Sequence, residues 1–424
     1  MAKIFPENFA AKIGKIAAEN ETPFYFYDEK ILKNRARNLL STARKYFPDF
    51  ENFFAVKANP NPRLLQTWQN AGCGFDCASI PELEIVAKLN SKKIMFSANF
   101  TQKKEFKKAR EVGAIVNLDH PNDFENYLNN GFKPIAPRNK EILSFRFNPG
   151  ERNLADNNFV TGKLNESKFG ATSEQILRGI ETAKNAGVKR FGLHAFLGSN
   201  VLDENYFVET AEILFDLAAQ IFEKFGVEIE FINTSGGLGI PYLPDETELN
   251  LEEIFSGIRK VFDEKSAKFS VRCPNLFMES GRYLAAPAGF LISKVVAQKE
   301  TFKKYAGLDA SMANLMRPGM YGAFHEISVW RDGEILPAEN LEKINVVGPL
   351  CENNDFFARD RNLPKLKIGD ILILHDVGGH GASMGFQYNG RLRCAEFLAR
   401  ENGEIEKIRR AETTEDYFRT ATEI

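Results

Sequence analysis

Short apolar runs alternate with amphipathic segments from about residue 50 to about residue 285 of this chain. In segments such as SEQILRGIETAKNAG the apolar residues recur three and four positions apart, which predicts helices. The apolar runs between these segments are short and bounded by glycine, proline or polar residues, which predicts strands. The eight predicted strands are Asn52–Asn59, Gly74–Ser79, Lys93–Asn99, Ala114–Asp119, Leu143–Asn148, Gly192–Ser199, Phe231–Gly236 and Leu276–Glu279.

Capping residues predict where the helices begin and end. Ser79 and Thr101 lie where helices should begin, because a hydroxyl accepts hydrogen bonds from the exposed N–H groups of a first turn. Gly72, Gly113 and Gly187 lie where helices should end, because glycine readily takes the left-handed conformation found there. Eight strand–helix units in this region favour a (β/α)8 barrel over an open doubly wound sheet.

Polar residues and a glycine lie at or just beyond the C-terminal ends of the predicted strands. Barrel active sites are built from the loops at these ends, so the pattern predicts the site there. We count Asp76 and Arg146 among the residues expected to bind a ligand. The full set is Lys57, Asp76, Asn99, Asp119, Arg146, Ser199, Gly236 and Glu279.

The pattern changes after about residue 286, where strand-like runs such as GDILILHDVGG follow one another and helical periodicity is weak. The early segment TPFYFYDE is also strand-like and precedes the first barrel strand. The pattern therefore predicts a barrel over residues 30–285 and a β-rich second domain after it. The stretch Phe302–Tyr321 has no clear period and is predicted to be a functional loop.

Composition narrows the class of protein. The 424 residues carry a net charge of −2, which implies no general polyanion partner such as nucleic acid. No apolar run approaches the roughly 20 residues that cross a bilayer. The first residues, MAKIFPENFAAKIGK, lack the apolar segment and cleavage site of a signal peptide. We therefore expect a cytoplasmic protein without membrane contact.

Five cysteines in a chain of this length argue against a disulfide framework. Cys73 and Cys77 form a C-x3-C pair, but no second pair or histidine cluster completes a set of four metal ligands. We expect buried thiols and no metal site.

Three short motifs point to chemistry when they are read together. Lys57 follows an apolar run in FFAVKAN, Glu279 lies in FMESGR, and Cys351 and Glu352 lie in GPLCENND. Taken singly, each has an ordinary interpretation: an ion-paired lysine, a solvated strand-end glutamate and a buried thiol. A lysine with a distant carboxylate also suits pyridoxal phosphate, which needs an amine for its aldehyde and an acid for its pyridine nitrogen.

These strings resemble the fold-type III pyridoxal-phosphate-dependent decarboxylases, and among them the diaminopimelate decarboxylases, from about Pro23 to about Glu412. The resemblance implies an alanine-racemase-like barrel in which Lys57 forms a Schiff base with the cofactor and Glu279 faces the pyridine nitrogen. It also implies that the early strand joins the later ones, so that residues 1–29 and 286–424 form one discontinuous β domain, a sandwich or barrel. Phe196 stands where the family has a histidine that stacks on the ring. The other residues expected to contact the cofactor are Asp76, Arg146, Ser199, Gly236, Gly237, Gly281, Arg282 and Tyr388.

The resemblance also implies a substrate. Arg317 and Tyr321 in MRPGMY, with Glu352, would read the distal end of diaminopimelate, and Cys351 would assist protonation after CO2 leaves. Arg282 and Tyr388 would contact substrate as well as cofactor. The Cys-Glu pair would reach the site from the second subunit of a homodimer.

The resemblance leaves two alternatives open. A sister decarboxylase would act on ornithine, arginine, D-lysine, D-ornithine or carboxynorspermidine, whereas a non-catalytic homologue would bind the cofactor and a partner. The chain departs from the family strings at Phe196, Ser235, Ser280, Asn353 and His380. For His194, two residues before Phe196, we expect a structural role.

Overall fold

A computed structural model describes residues 5–128, 141–150 and 163–422 of the chain. The chain divides into two compact units, one formed by residues 1–34, 241–246 and 284–424 and the other by residues 35–240 and 247–283. The boundaries predicted from sequence, 30–285 against 1–29 and 286–424, stay a prediction. The first elements are α1 (Phe9–Glu19), β1 (Phe24–Asp28) and α2 (Glu29–Tyr46).

The unit formed by residues 35–240 and 247–283 is a barrel. Within the described residues, eight parallel strands pair in chain order, and the last closes on the first. The strands are β2 (Glu51–Ala55), β3 (Gly74–Cys77), β4 (Ile94–Phe96), β5 (Ile115–Leu118), β6 (Ile142–Phe147), β7 (Arg190–Ala195), β8 (Ile229–Asn233) and β9 (Asn275–Met278). All eight predicted strands and the predicted (β/α)8 class are confirmed.

Helices connect successive barrel strands, as the periodicity predicted. They are α3 (Pro62–Asn70), α4 (Ile80–Lys88), α5 (Lys103–Glu111), α6 (Asp123–Leu128), α7 (Ser173–Asn185), α8 (Glu204–Phe225) and α9 (Leu251–Phe269). The Ser79 side chain accepts from the Glu82 N–H and begins α4 as predicted. The prediction for Thr101 was wrong, because the capping residue directly before α5 is Gln102, whose N–H is held by the side chain of Glu105.

The other unit contains a mixed sheet of ten strands among the described residues. Strand β1 pairs antiparallel with β10 and parallel with β17, so the early strand joins the later ones as predicted. The later strands are β10 (Gly289–Glu300), β11 (Lys304–Leu308), β12 (Ile327–Arg331), β13 (Glu334–Ile335), β14 (Leu341–Val347), β15 (Phe356–Pro364), β16 (Ile371–Leu374), β17 (Ala395–Ala399) and β18 (Ile405–Arg409). Short helices α10 (Arg282–Ala285), α11 (Arg317–Tyr321) and α12 (Thr414–Phe418) complete the elements.

The stretch Phe302–Tyr321 is not the loop that the sequence predicted. Strand β11 pairs with both β10 and β14, and helix α11 closes the segment. Both elements are five residues long, which is too short for periodicity to reveal, and pairing with distant strands stabilises β11. The stretch is therefore part of the sheet unit.

Three further expectations concern the part of the chain that the structure describes. All five cysteines lie there as free thiols, and none of the clusters of acidic, histidine or cysteine residues found there can hold a metal ion. Among the described helices, none combines the length and apolarity that a membrane span requires.

Candidate active site

The amine of Lys57 lies at the C-terminal end of the barrel. Lys57 is on a single 3-10 turn, Val56–Ala58, directly after β2, and its side chain is exposed although both neighbours are buried. Its Nζ atom lies 5.4 Å from the centre of the Phe196 ring, and Phe169 packs edge-on against that ring with 5.2 Å between centres. The amine is therefore accessible beside an aromatic face.

Glu279 follows β9 and is 4% exposed, which makes it a buried carboxylate at the same end of the barrel. Within the described residues its two oxygens receive four hydrogen bonds, two at each oxygen. The donors are Ser97 Oγ (3.1 Å) and Asn233 Nδ2 (2.8 Å) to Oε1, and His194 Nε2 (3.1 Å) and Ser235 Oγ (3.1 Å) to Oε2. Donors on both oxygens stabilise the charge of this buried carboxylate.

The surroundings of Glu279 favour its ionised form. Burial opposes the charge, but His194, Lys57 and Arg146 outweigh it and hold the pKa of Glu279 below its usual range. Burial also lowers the pKa of His194. At neutral pH His194 is therefore neutral and helps Glu279 as a hydrogen-bond donor through Nε2–H, while Lys57 and Arg146 supply the positive charge.

Asp76, at the end of β3, is a second buried carboxyl group in the barrel and shows the opposite behaviour. Burial raises its pKa well above the usual value, and the negative charge of Glu279 adds to that effect. Its Oδ1 atom has no hydrogen-bond partner in the part of the chain that the structure describes. Two carboxyl groups whose pKa values are driven apart give the site one anion and one group that readily keeps a proton.

Arg146 holds strand ends together. Its Nη1 donates to Asp119 Oδ1 at 2.8 Å, and its Nη2 donates to the carbonyl oxygen of Ser97 at 2.8 Å. Because Ser97 in turn donates to Glu279, the guanidinium stabilises one of the donors of the carboxylate. Arg146 therefore contributes to the site through buried contacts as well as through its charge.

Three turns approach one another near Glu279. A Cβ at Gly236 would lie 2.8 Å from the carbonyl oxygen of Glu279, and Gly237 has a φ of 90°. Arg282 Nη2 lies 3.4 Å from Ser199 Oγ. Gly281 leaves no room for a side chain, because a Cβ there would lie 2.8 Å from Cβ of Ala58, beside Lys57. Glycine N–H groups with a hydroxyl and a guanidinium make a cradle that suits an anion such as phosphate.

The remaining predicted site residues lie in the sheet unit, where Arg317 is held from two sides. Its Nη1 atom lies 3.0 Å from Nε2 of His325, and its guanidinium carbon lies 4.6 Å from the centre of the Tyr242 ring. His325 is fully buried and its Nδ1 donates to the carbonyl oxygen of His375 at 2.8 Å. This leaves Nε2 as the acceptor for Arg317, so the histidine orients the guanidinium.

The Cys351–Glu352 pair lies on an exposed loop between β14 and β15. The N–H of Cys351 donates to Oδ1 of Asn389 at 2.8 Å, which joins this loop to the segment that carries Tyr388. Asp355, which is buried, accepts from the N–H groups of Met312 at 2.6 Å and Leu350 at 2.8 Å. These bonds shape the loop, while the side chains of Cys351 and Glu352 remain exposed.

Two tyrosines complete the predicted set in the sheet unit. Tyr321, the last residue of α11, is 42% exposed, and Tyr388 is 45% exposed. Like Cys351 and Glu352, they present their side chains to solvent.

Sequence reasoning missed several residues that contact the predicted ones. Ser97, Asn233 and Ser235 donate to Glu279, and His325 orients Arg317. The sequence did carry a signal for Ser97 and Asn233, since each lies within a residue of the C-terminal end of a barrel strand. For His325 no strand or helix pattern pointed to the contact.

Comparison with known proteins shows which proteins this chain resembles. Residues 34–286 match the family model of the pyridoxal-dependent decarboxylases, pyridoxal-binding domain. Protein TabA of Pseudomonas amygdali pv. tabaci is 35% identical over 97% of this chain and 94% of that protein. A diaminopimelate decarboxylase of Methanothermobacter thermautotrophicus is 35% identical over 96% of this chain and 92% of that protein. The crystal structure of a diaminopimelate decarboxylase from M. jannaschii with L-lysine has a TM-score of 0.86 and 31% identity, and covers 97% of this chain and 94% of that one.

Proposed function

Because the chain belongs to the pyridoxal-dependent decarboxylase family, we propose that it decarboxylates meso-2,6-diaminopimelate at its D-centre and releases L-lysine and CO2. The observation that carries the proposal is the buried, ionised Glu279 at the end of a barrel that also exposes the amine of Lys57. The substrate follows from the names of relatives that align over nearly the whole chain. Arg317, held by His325, adds an anchor for a distal carboxylate.

The barrel residues fit pyridoxal 5'-phosphate, the cofactor of this family. The cofactor needs an amine for its aldehyde, an acid for its pyridine nitrogen and donors for its phosphate. Lys57 offers the amine and Glu279 the carboxylate. Ser199 and Arg282, with the N–H groups near Gly236, offer the donors, and glycine at position 236 lets this turn approach the backbone of Glu279 closely.

The proposed cofactor contacts follow from this fit. Lys57 would hold the aldehyde carbon, Glu279 the pyridine nitrogen and Phe196 the ring face. Asp76, Arg146 and Tyr388 complete the predicted cofactor set, and Ser199, Gly236, Gly237, Gly281 and Arg282 would surround the phosphate. When bound, the cofactor withdraws electrons from the α-carbon of the substrate, which makes the loss of CO2 feasible.

The side chains at the substrate would bind its distal end and thereby align its scissile carboxylate. Arg317 would bind the distal carboxylate through its guanidinium fork, with Tyr321, Glu352, Arg282 and Tyr388 as further contacts. A substrate without that carboxylate, such as ornithine, lacks this interaction with Arg317 and is disfavoured. Binding at the distal end aligns the scissile carboxylate and excludes water from the α-carbon.

Cys351 would donate the proton that the α-carbon takes up after CO2 leaves. We further propose that the protein is a homodimer whose sites combine Lys57 of one subunit with Cys351 of its partner. Support comes from the exposure of Cys351, Glu352, Tyr321 and Tyr388, which an interface would bury. The free cysteines support a reducing compartment, and we propose a cytoplasmic location.

The proposal is tested with purified protein, added cofactor and meso-diaminopimelate, with CO2 and lysine as the measured products. Ornithine, arginine, D-lysine, D-ornithine and carboxynorspermidine serve as parallel substrates. Lysine from diaminopimelate alone is the expected result. CO2 released from another compound of the panel would show that this compound, and not diaminopimelate, is the substrate. Absence of turnover despite bound cofactor would favour a non-catalytic homologue.

The shared site has its own test. Lys57→Ala and Cys351→Ala variants are each expected to lose about 10²-fold or more of their activity. Mixed dimers that contain one subunit of each are expected to regain part of the activity, because one of their two sites is intact. Mixtures that stay inactive while exchanging subunits would show that each site lies within one chain.

A further inference from the structure

The backbone of Ser235 has an unusual conformation. Its φ is 59°, in the left-handed region that glycine adopts freely and that side chains other than asparagine and aspartate rarely take. Two glycines follow it directly, so the turn already contains residues suited to such angles. A serine kept in this conformation costs stability, and backbone strain of this kind is concentrated at functional sites.

Ser235 is bound to Glu279 at both backbone and side chain. The carbonyl oxygen of Ser235 accepts from the N–H of Glu279 at 2.7 Å, and its hydroxyl donates to Oε2 of Glu279 at 3.1 Å. The N–H of Ser235 donates to Oδ1 of Asn233 at 2.8 Å, and Nδ2 of Asn233 donates to Oε1 of Glu279 at 2.8 Å. The strained turn, Asn233 and the carboxylate therefore form a closed ring of hydrogen bonds.

The ring fixes the hydroxyl beside the carboxylate. Ser235 is 5% exposed and Asn233 is fully buried, so water does not compete for these groups. A hydrogen bond to an ionised acceptor in a buried site is stronger than one between neutral groups. A donor to a carboxylate stabilises the anion and weakens it as a base.

We propose, resting on the proposed function, that Ser235 is a positioning residue that acts through Glu279 and sets how the proton is shared between that carboxylate and the pyridine nitrogen of the cofactor. With the hydroxyl in place, Glu279 is a weaker base and the proton stays on the nitrogen. Without it, Oε2 gains charge density and draws the proton toward itself. Ser97 and Asn233 donate to the other oxygen and do not replace this contact.

The test uses the full-length holoenzyme without substrate, loaded with pyridoxal phosphate that carries ¹⁵N in its ring. The ¹⁵N chemical shift of the ring nitrogen reports its protonation directly. In Ser235→Ala we expect the signal to move toward that of an unprotonated pyridine. Ser235→Gly also lacks the hydroxyl but relieves the backbone strain, so the two variants should shift the signal in the same direction while their stabilities differ.

Ser280→Ala is the matched control. Its hydroxyl is buried directly after Glu279 and has no hydrogen-bond partner among the described residues, so its removal should leave the ¹⁵N signal unchanged. Identical signals in unsubstituted protein, Ser235→Ala and Ser235→Gly would overturn the inference, as would an equal shift in Ser280→Ala. Failure of the unsubstituted protein to bind the cofactor would overturn the proposed function itself, and the inference with it.

Discussion

The two units expose their predicted functional side chains to different degrees. In the barrel, Glu279 and Asp76 are almost fully buried, and Glu279 accepts four hydrogen bonds from buried side chains among the described residues. In the sheet unit, Cys351 and Glu352 are exposed on a loop, and the N–H of Cys351 donates to the side chain of Asn389. The barrel is therefore preorganised to hold a charge, whereas the sheet unit presents the side chains of Cys351 and Glu352 to solvent.

The comparison also explains why charge is treated differently in the two units. A buried carboxylate is stable only where donors and cations surround it, so the barrel must supply them within its own structure. An exposed cysteine or glutamate is solvated and needs no such partners. Substitutions in the barrel should therefore affect folding and chemistry together, whereas those on the exposed loop should affect chemistry alone.

The largest effect is expected for Glu279→Gln. The amide cannot hold a proton on a ring nitrogen, and its NH2 group faces donors that previously bonded a carboxylate. We expect turnover to fall about 10²- to 10³-fold and the free energy of unfolding of the cofactor-free protein to fall by about 1–3 kcal/mol. Steady-state kinetics and urea unfolding measure both. The exposed Glu223→Gln serves as control, and an active, equally stable Glu279→Gln would contradict the comparison.

Cys351→Ala should separate chemistry from stability. Loss of a proton donor should lower kcat about 10²-fold or more. The free energy of unfolding should stay within about 0.5 kcal/mol, because the side chain is exposed. The neighbouring Asn353→Ala is the control and should retain activity. A loss of stability in Cys351→Ala comparable to that of Glu279→Gln would remove the distinction between the two units.

Arg317 is the most constrained of the predicted residues in the sheet unit, and its substitutions sharpen the comparison. Arg317→Lys keeps the positive charge but loses the paired N–H donors of the guanidinium. We therefore expect kcat/KM for diaminopimelate to fall about 10- to 100-fold, mostly because KM rises. His325→Gln keeps the guanidinium of Arg317 but removes the histidine that orients it, and we expect kcat/KM to fall less, by about tenfold.

Both substitutions should also lower the ratio of kcat/KM for diaminopimelate to kcat/KM for D-lysine. Kinetics with the substrate panel measure this ratio. Arg359→Lys, on an exposed arginine of the same unit, is the control. An unchanged KM in Arg317→Lys would exclude Arg317 as the carboxylate anchor.

The smallest effect concerns Asp76, whose charge the barrel does not stabilise. Its pKa is raised in the folded protein, so as pH rises from about 4 the unfolded chain, with an ordinary aspartate pKa, loses its proton first. The free energy of unfolding therefore falls as pH rises through the folded pKa. Asp76→Asn should remove this fall.

The Asp76→Asn variant in its cofactor-free form should be more stable than the unsubstituted protein by roughly 1 kcal/mol at pH 8, with little difference below pH ~4. Urea unfolding across this pH range measures the difference, and the exposed Asp49→Asn is the control. Equal stabilities at pH 8 would show that Asp76 is ionised without cost.

The barrel could be predicted because its signals are local. The apolar runs and the three- and four-residue spacing located all eight strands, and Lys57 and Glu279 were found by their positions at strand ends. Predictions failed where an element is short or depends on a distant partner. Gln102 rather than Thr101 caps α5, and β11 pairs with β14, which follows it by more than 30 residues.

What the sequence determined by itself is the alternation of strands and helices, the barrel class and the types of chemical group at the strand ends. Periodicity and capping involve residues that lie close together in the sequence, so they can be recognised from the sequence alone. Only the tertiary structure decided that Ser97, His194, Asn233 and Ser235 converge on Glu279 and that His325 orients Arg317. Such contacts depend on strand register and burial, and these set protonation states that no local pattern contains.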